Sequence, residues 1–258
     1  MDFISQFAVS LDAILGVDKD MTQYLDAHTH SDVHKDDVIA VVNRYPGEVC
    51  GEFKIKNSKL RIQNSLHDSC LLAQNSELIT HNSDLITHNS ELSQCCFSVG
   101  LHPWHVNEDW QVQLEKMRSE ASLPCVCAIG ECGLDKLTGN DYERQKHAFR
   151  AQVSLAEECG KPMIIHCVKA YDDILAIHKE MNPRQKWMIH GFRGKPEQAK
   201  QIMAKGMLLS FGHRYNVDTL SYVAFNYRSL YLETDDCGLS IRQIYENVRR
   251  HLSSGSLD

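Results

Sequence analysis

Eight short runs are almost continuously apolar: Tyr24–His28, Val38–Asn43, Cys96–His102, Val126–Glu131, Met163–Cys167, Trp187–Phe192, Leu208–Phe211 and Leu230–Glu233. A strand with one solvated face alternates apolar and polar residues, whereas a strand buried on both faces of a parallel sheet need not. Helix patterns fill most of the gaps. Trp110–Ala121 follows the third run, and Asp141–Cys159 ends at Gly160 and Pro162. Ala170–Met181 stops before Pro183, Pro196–Lys205 stops before Gly206, and Ile241–Leu252 is the last segment of this kind. Glycine and proline at those places are stop signals for helices. Strands and helices alternating in this number predict an α/β fold, a (β/α)8 TIM barrel. Its first unit is defective. Between His30 and Val38 there is no room for a crossover helix, so the barrel is expected to be distorted or partly open there.

At 258 residues, 43% of them apolar, the chain can bury a large core, and the single barrel rhythm is read as one domain over 1–258, with 1–20 as an extension and 57–94 as an insertion. The formal charge of −7 gives no basic footprint for salt-sensitive nucleic-acid binding. Bound divalent ions would reverse that sign locally. Ten cysteines are scattered without a Cys-x-x-Cys pair, which argues against a zinc knuckle and for a reduced, cytoplasmic setting. The start, Met1-Asp2-Phe3-Ile4, has no basic region, and Asp12 interrupts the apolar run. It reads as neither a secretory signal nor a membrane span, so no membrane partner is expected.

Two stretches stand outside the rhythm. Residues 1–20 carry no motif and read as an upstream start or a loosely attached extension. Within 57–94, Asn75-Ser76-Glu77-Leu78-Ile79-Thr80-His81 is followed by Asn82-Ser83-Asp84-Leu85-Ile86-Thr87-His88 and by Asn89-Ser90-Glu91-Leu92, with a degenerate copy from Asn57. Adjacent Leu and Ile do not make a coiled-coil seam. The segment is expected to be a tandem expansion in a surface loop, where extra length costs little. His81 and His88 are then not ligands.

The chemistry-bearing residues fall at or just after the ends of the strand runs. His28 and His30, in Asp26-Ala27-His28-Thr29-His30, are alternate residues of an extended chain, so both rings can converge on one metal. Glu131 lies between Gly130 and Cys132-Gly133 at the end of a buried run; a buried carboxylate needs a cation, an arginine or strong donors beside it. Asp135 is open to two readings, a substrate-side group or a helix-start residue. Ile164-Ile165-His166 and Met188-Ile189-His190 repeat one pattern, an apolar strand ending in histidine, as expected for ligands of a second metal. Asp235 ends the eighth run, where Glu233 and Asp236 compete with it on composition alone; a carboxylate there can hold a metal and take a proton. This nitrogen and oxygen set, without thiolate, suits one or two divalent ions, Zn, Mg or Mn.

Taken in order, these motifs resemble the TatD family of metal-dependent hydrolases. The matching blocks are Asp26-Ala27-His28-Thr29-His30, Ser98-Val99-Gly100-Leu101-His102-Pro103-Trp104-His105 and Ile129-Gly130-Glu131-Cys132-Gly133-Leu134-Asp135. They continue with Gln145, Phe149 and Gln152, then Pro162-Met163-Ile164-Ile165-His166, His190-Gly191-Phe192-Arg193-Gly194 and Glu233-Thr234-Asp235. The resemblance covers most of 22–240 apart from the repeats. It implies a distorted TIM barrel whose metal centre hydrolyses phosphoester bonds, in DNA above all. It also implies that His28 and His30 hold one metal, Glu131 bridges, and His166 and His190 hold the other. Asp235 would bind metal and act as general base, with His102 facing the substrate. An arginine common in the family two residues after His166 is here Val168, with Lys169 beside it as a candidate substrate contact, and a proline expected after Thr234-Asp235-Asp236 is Cys237. The chain also ends soon after its last helix, where relatives have a further helical segment.

The expected substrate is therefore DNA, and a monomer is compatible with all of this. Two other readings stand beside it: the same metal barrel acting on a small ester, amide or phosphoester, and a silent barrel that binds a ligand or partner.

Overall fold

The computed structural model describes residues 8–16, 23–31, 37–49, 52–55, 58–61 and 95–254. Its strands are β1 (Val9–Ser10), β2 (Tyr24–Thr29), β3 (Val38–Arg44), β4 (Glu52–Ile55), β5 (Ser58–Arg61), β6 (Cys95–Val99), β7 (Val126–Asp135), β8 (Met163–Val168), β9 (Trp187–Ile189), β10 (Leu208–Phe211) and β11 (Ser229–Leu232). The helices are α1 (Leu11–Leu15), α2 (Trp110–Ala121), α3 (Tyr142–Cys159), α4 (Tyr171–Met181), α5 (Pro196–Met203), α6 (Val217–Tyr227) and α7 (Ile241–Ser254).

All eight predicted strands pair in parallel and in chain order, from β2 through β3 and β6 to β11. The circle closes at a parallel bridge between Thr29 and Asp235, with His30 N–H donating to Asp235 O at 3.2 Å and Asp235 N–H to His28 O at 3.0 Å. The first unit is irregular as expected: the β2–β3 register shifts between Asp26 and Thr29. Residues 32–36, the short connection itself, lie outside the described residues.

Period-two alternation sorts the strand side chains into two layers. Val38, Ala40 and Val42 face the helices and join the large core, as do Met163 and Ile165. Ala27, Val41, Cys127, Ala128, Ile164, Met188 and Tyr231, all from strands, fill the barrel interior. Two residues further along the same faces come Asn43 after Val41, His166 after Ile164 and His190 after Met188. The lumen is thus dry below and polar at the carboxyl ends of its strands, where barrels of this type carry their sites.

Local signals account for the helices. Asp141 caps α3 by accepting from Arg144 N–H at 3.1 Å, and Gly160 ends it at φ 66°. Helix α7 buries Ile241, Ile244, Tyr245, Val248 and Leu252 along one stripe. Its Tyr245 hydroxyl accepts from Leu25 N–H at 3.2 Å and donates to Leu25 O at 3.1 Å, clamping β2. Helix α6 is absent from the sequence reading. Its window holds Tyr222, Phe225 and Tyr227 at weak helical spacing, but Asn216 caps it by accepting from Thr219 N–H at 3.0 Å.

Three corrections to the expectations follow. Residues 8–16 are not loosely attached: β1 pairs antiparallel with β11, and Leu11 and Ile14 are fully buried. Asp12 also pairs with Arg228 at 2.7 Å. Strand β7 continues past Glu131 to Asp135. The degenerate repeat copy is not all loop, because β5 pairs with β4 as a separate hairpin. The repeats at 75–92 lie outside the described residues.

Candidate metal centre

Glu131 is 3% exposed, and its backbone is fixed first. Its N–H donates to Asn43 Oδ1 at 2.6 Å, an oxygen that also accepts from Ser98 Oγ at 3.1 Å. Gly133 lets β7 press onto β8. At φ 142°, a Cβ on it would lie 2.0 Å from His166 O, which accounts for the glycine.

Five imidazoles then surround one carboxylate. His28 Nε2 and His30 Nε2 each stand 3.3 Å from Glu131 Oε2. His166 Nδ1 and His190 Nε2 each stand 2.7 Å from Oε1, and His102 Nε2 stands 3.0 Å from it. The two oxygens therefore divide the histidines into two sets. Asp235 Oδ1 lies at the rim, 3.8 Å from His28 Nε2 and 3.7 Å from His30 Nε2. Asp235 holds φ 54°, a left-handed conformation that aspartate and asparagine tolerate better than most residues. The structure thus brings all six expected ligands together.

The electrostatics follow from this packing. Burial alone would raise the Glu131 pKa, but His190, His102 and His166 outweigh it and hold it well below the carboxylate range. Burial would likewise keep His190 neutral, yet Glu131 and Glu233 outweigh it and raise its pKa well above the ordinary value. The hydrogen bond to Glu131 raises that of His30. Protons on these rings occupy the lone pairs a metal would need, and the two compete.

The residues fit a divalent cation. His28 is fully buried, and neither of its ring nitrogens has a hydrogen-bond partner; such a ring is costly unless something else takes its lone pair. Sets of three ligand atoms within 4.8 Å of one another form from His28, His30 and Glu131, from His28, His190 and Asp235, and from His102, Glu131 and His166. The neighbouring cysteines stay as thiols, because burial pushes Cys132 well up and Cys167 up to about 12.

Behind these candidate ligands stand residues that the sequence reading left unassigned. Glu233, fully buried, places Oε1 3.3 Å from His190 Nδ1 and accepts a short hydrogen bond from Ser210 Oγ. It orients His190 from behind, as carboxylates behind metal-binding histidines do. Asp26 accepts from Thr234 Oγ1 at 2.7 Å and from Thr234 N–H at 3.0 Å, tying β2 to the end of β11. The signal for both was a carboxylate inside an apolar strand, a place that requires partners.

The expected substrate contacts divide. Lys169 lines a cavity of about 660 Å³ together with His166, His190 and Asp235, and Arg193, Lys195 and Asp172 lie on the same wall. His102 belongs to the inner cluster and is 4% exposed. Its Nδ1 accepts from Trp104 N–H at 3.1 Å, so the neutral ring carries its proton on Nε2, toward Glu131. Burial, its largest influence, lowers the His102 pKa and favours that neutral ring. Of the two readings of Asp135, the structure overturns the helix-start one. It caps no helix, and it is buried with Oδ2 accepting from Trp104 Nε1 at 2.7 Å and Oδ1 from Leu137 N–H at 2.7 Å. Burial would raise its pKa, but Trp104, Leu137 and His166 outweigh it and hold it low.

A family model described as TatD related DNase matches residues 25–237. The chain belongs to the TatD family. It is 34% identical over 117 residues to the 3'-5' ssDNA/RNA exonuclease TatD of Erwinia tasmaniensis, 45% of each protein. It is 29% identical over 153 residues to an uncharacterized metal-dependent hydrolase of Haemophilus influenzae, 54% of this chain and 58% of that one. These matches span about half the length of the curated relatives. The fold is that of the TatD homologue YjjV from Escherichia coli K12, at TM-score 0.57 and 19% identity over 91% of this chain and 96% of the other. A TatD family hydrolase from Entamoeba histolytica aligns at TM-score 0.55 and 19% identity, over 83% of this chain and 73% of that one. No described helix is long and apolar enough to cross a membrane.

Proposed function

We propose that this chain is a metal-dependent nuclease that hydrolyses phosphodiester bonds in single-stranded DNA. The observation that carries the reading is Glu131 buried among five imidazoles, with Asp235 beside them at the rim. His28 and His30 would hold one divalent ion with Glu131 Oε2, and His166 and His190 a second with Oε1. Ions held there supply positive charge to the phosphoryl group and acidify water to near neutrality. Asp235 takes the proton of the attacking water, its side chain being 27% exposed and open to the cavity. Glu131 stays ionised and fixes the spacing of the histidines. Lys169, Arg193 and Lys195 hold the phosphate backbone along the cavity wall. Among the described residues none of these three side chains is paired with a carboxylate, which leaves them for a polyanion. RNA and a 3'-5' polarity enter the proposal from the names of the relatives. We keep a cytoplasmic setting in this reading on the scatter of the ten cysteines.

The test is digestion of end-labelled single-stranded DNA with magnesium, manganese or zinc, by the wild type and by Asp235→Asn. Asparagine keeps the left-handed backbone at this position, so a folded variant is expected. Losing a general base should slow cleavage at least ~100-fold. No digestion by a metal-loaded wild type would turn the assignment to small esters or amides. A protein that binds no metal would be a ligand-binding barrel.

A further inference from the structure

Trp104 is 57% exposed, yet its indole is hydrogen-bonded and packed against two rings at the mouth of the barrel. It sits in a short 3-10 turn, Pro103–His105. Its N–H is bonded to His102 Nδ1, its indole Nε1 donates to Asp135 Oδ2 at 2.7 Å, and its carbonyl accepts from Asn140 Nδ2 at 2.7 Å. Asp135 Oδ2 also lies 3.3 Å from His166 Nε2. The indole meets His102 and His166 edge-on, with ring centroids 4.9 and 5.9 Å away. Leu137, 71% exposed, is tied to the other oxygen of the same carboxylate. A large aromatic with its indole bonded to Asp135 and its backbone bonded on both sides is not a loose surface residue. Its ordering has already been done, so a flat ligand that covers it loses little further freedom.

We infer that Trp104 is the stacking platform for the nucleobase next to the scissile phosphate, an inference that rests on the nuclease reading. The geometry supplies both halves of a nucleotide subsite. The ring lies about one base-width from His166, and the cationic wall of Lys169 and Arg193 runs along the cavity that His166 also lines. Stacking accepts any base, so the subsite favours a nucleotide over a bare phosphodiester without reading sequence. Asp135 acts here as a positioning residue, through the indole and through His166.

The test compares a hexadeoxythymidylate with hexamers in which one of the two terminal residues at either end is abasic. The readouts are the intact-to-abasic ratio of kcat/KM for wild type, Trp104→Phe and Trp104→Ala, and the same ratio of Kd measured by anisotropy with the metal chelated. The wild type should favour the intact hexamer roughly tenfold, the size of a base–aromatic stack. Phenylalanine, which stacks but has no indole N–H, should keep most of that ratio, and alanine should bring it near one. A wild-type ratio near one with the intact hexamer still cleaved would remove the platform and leave the nuclease reading standing. Equal ratios for the Phe and Ala variants would likewise overturn it, reducing Trp104 to an anchor of Asp135. Failure to cleave any hexamer would remove both.

Discussion

Glu233→Gln isolates the orientation of His190 from everything else at the centre. The wild-type carboxylate is fully buried, with Oε1 3.3 Å from His190 Nδ1 and Oε2 accepting a hydrogen bond from the Ser210 hydroxyl. Glutamine keeps the shape and one acceptor oxygen but removes the charge. A net hydrogen bond to a charged group contributes about 1.5–3 kcal/mol and a neutral one about 0.5–1.5. The difference, roughly 1–1.5 kcal/mol, is about a tenfold effect. Removing partners behind metal-binding histidines generally costs roughly 10–100-fold in metal affinity or activity, so a loss at the lower end of that range is expected. The assay is competition for zinc or manganese against a chromophoric chelator, run beside turnover, with circular dichroism to show an intact fold. A folded variant with unchanged affinity and unchanged turnover would refute the reasoning. His190 would then need no orienting partner, or would not be a ligand.

Three further outcomes follow from the packing. Ile14→Ala, in the fully buried α1 contact, should cost about 2–5 kcal/mol in chemical denaturation; a change below about 0.5 would mean that residues 8–16 are dispensable. Gly133→Ala should lower stability by at least about 2 kcal/mol and lose metal binding, since its Cβ would lie 2.0 Å from His166 O; ordinary affinity would contradict the tight β7–β8 approach. Asp26 is pushed up to about 7 by burial, against the lowering effect of its Thr234 bonds. A carboxyl whose folded pKa is raised stabilises the fold while protonated and loses that contribution as pH rises from about 4 to 7. Asp26→Asn should therefore gain on the wild type between pH 5 and pH 8 in melting experiments, and a constant difference across that range would remove the argument.

Much of this was legible in the residues, for identifiable reasons. The strands could be read because both faces are buried, so apolar runs marked them whatever their neighbours were. His166 and His190 could be read because each ends such a run. Helix α6 could not, since its aromatic residues follow no clean stripe and its only strong signal is Asn216. The Asp135 tie to the indole could not be read locally, because Trp104 is 31 residues away in sequence. Glu233 and Asp235, two residues apart, look alike in sequence. Only the closed barrel separates them, sending one behind a histidine and leaving the other at the rim. The N-terminal stretch was underestimated because two strand residues and five helical ones carry little pattern of their own.

The barrel is fastened shut at the residue proposed above as the proton acceptor. Thr29 and Asp235 make the closing backbone bridge, and Asp26 with Thr234 draws the joint tight from beneath. The proposed working carboxylate would thus also be the latch. If that role holds, loosening of the joint would displace the acceptor itself, so catalysis would fail ahead of the architecture and serve as its most sensitive gauge.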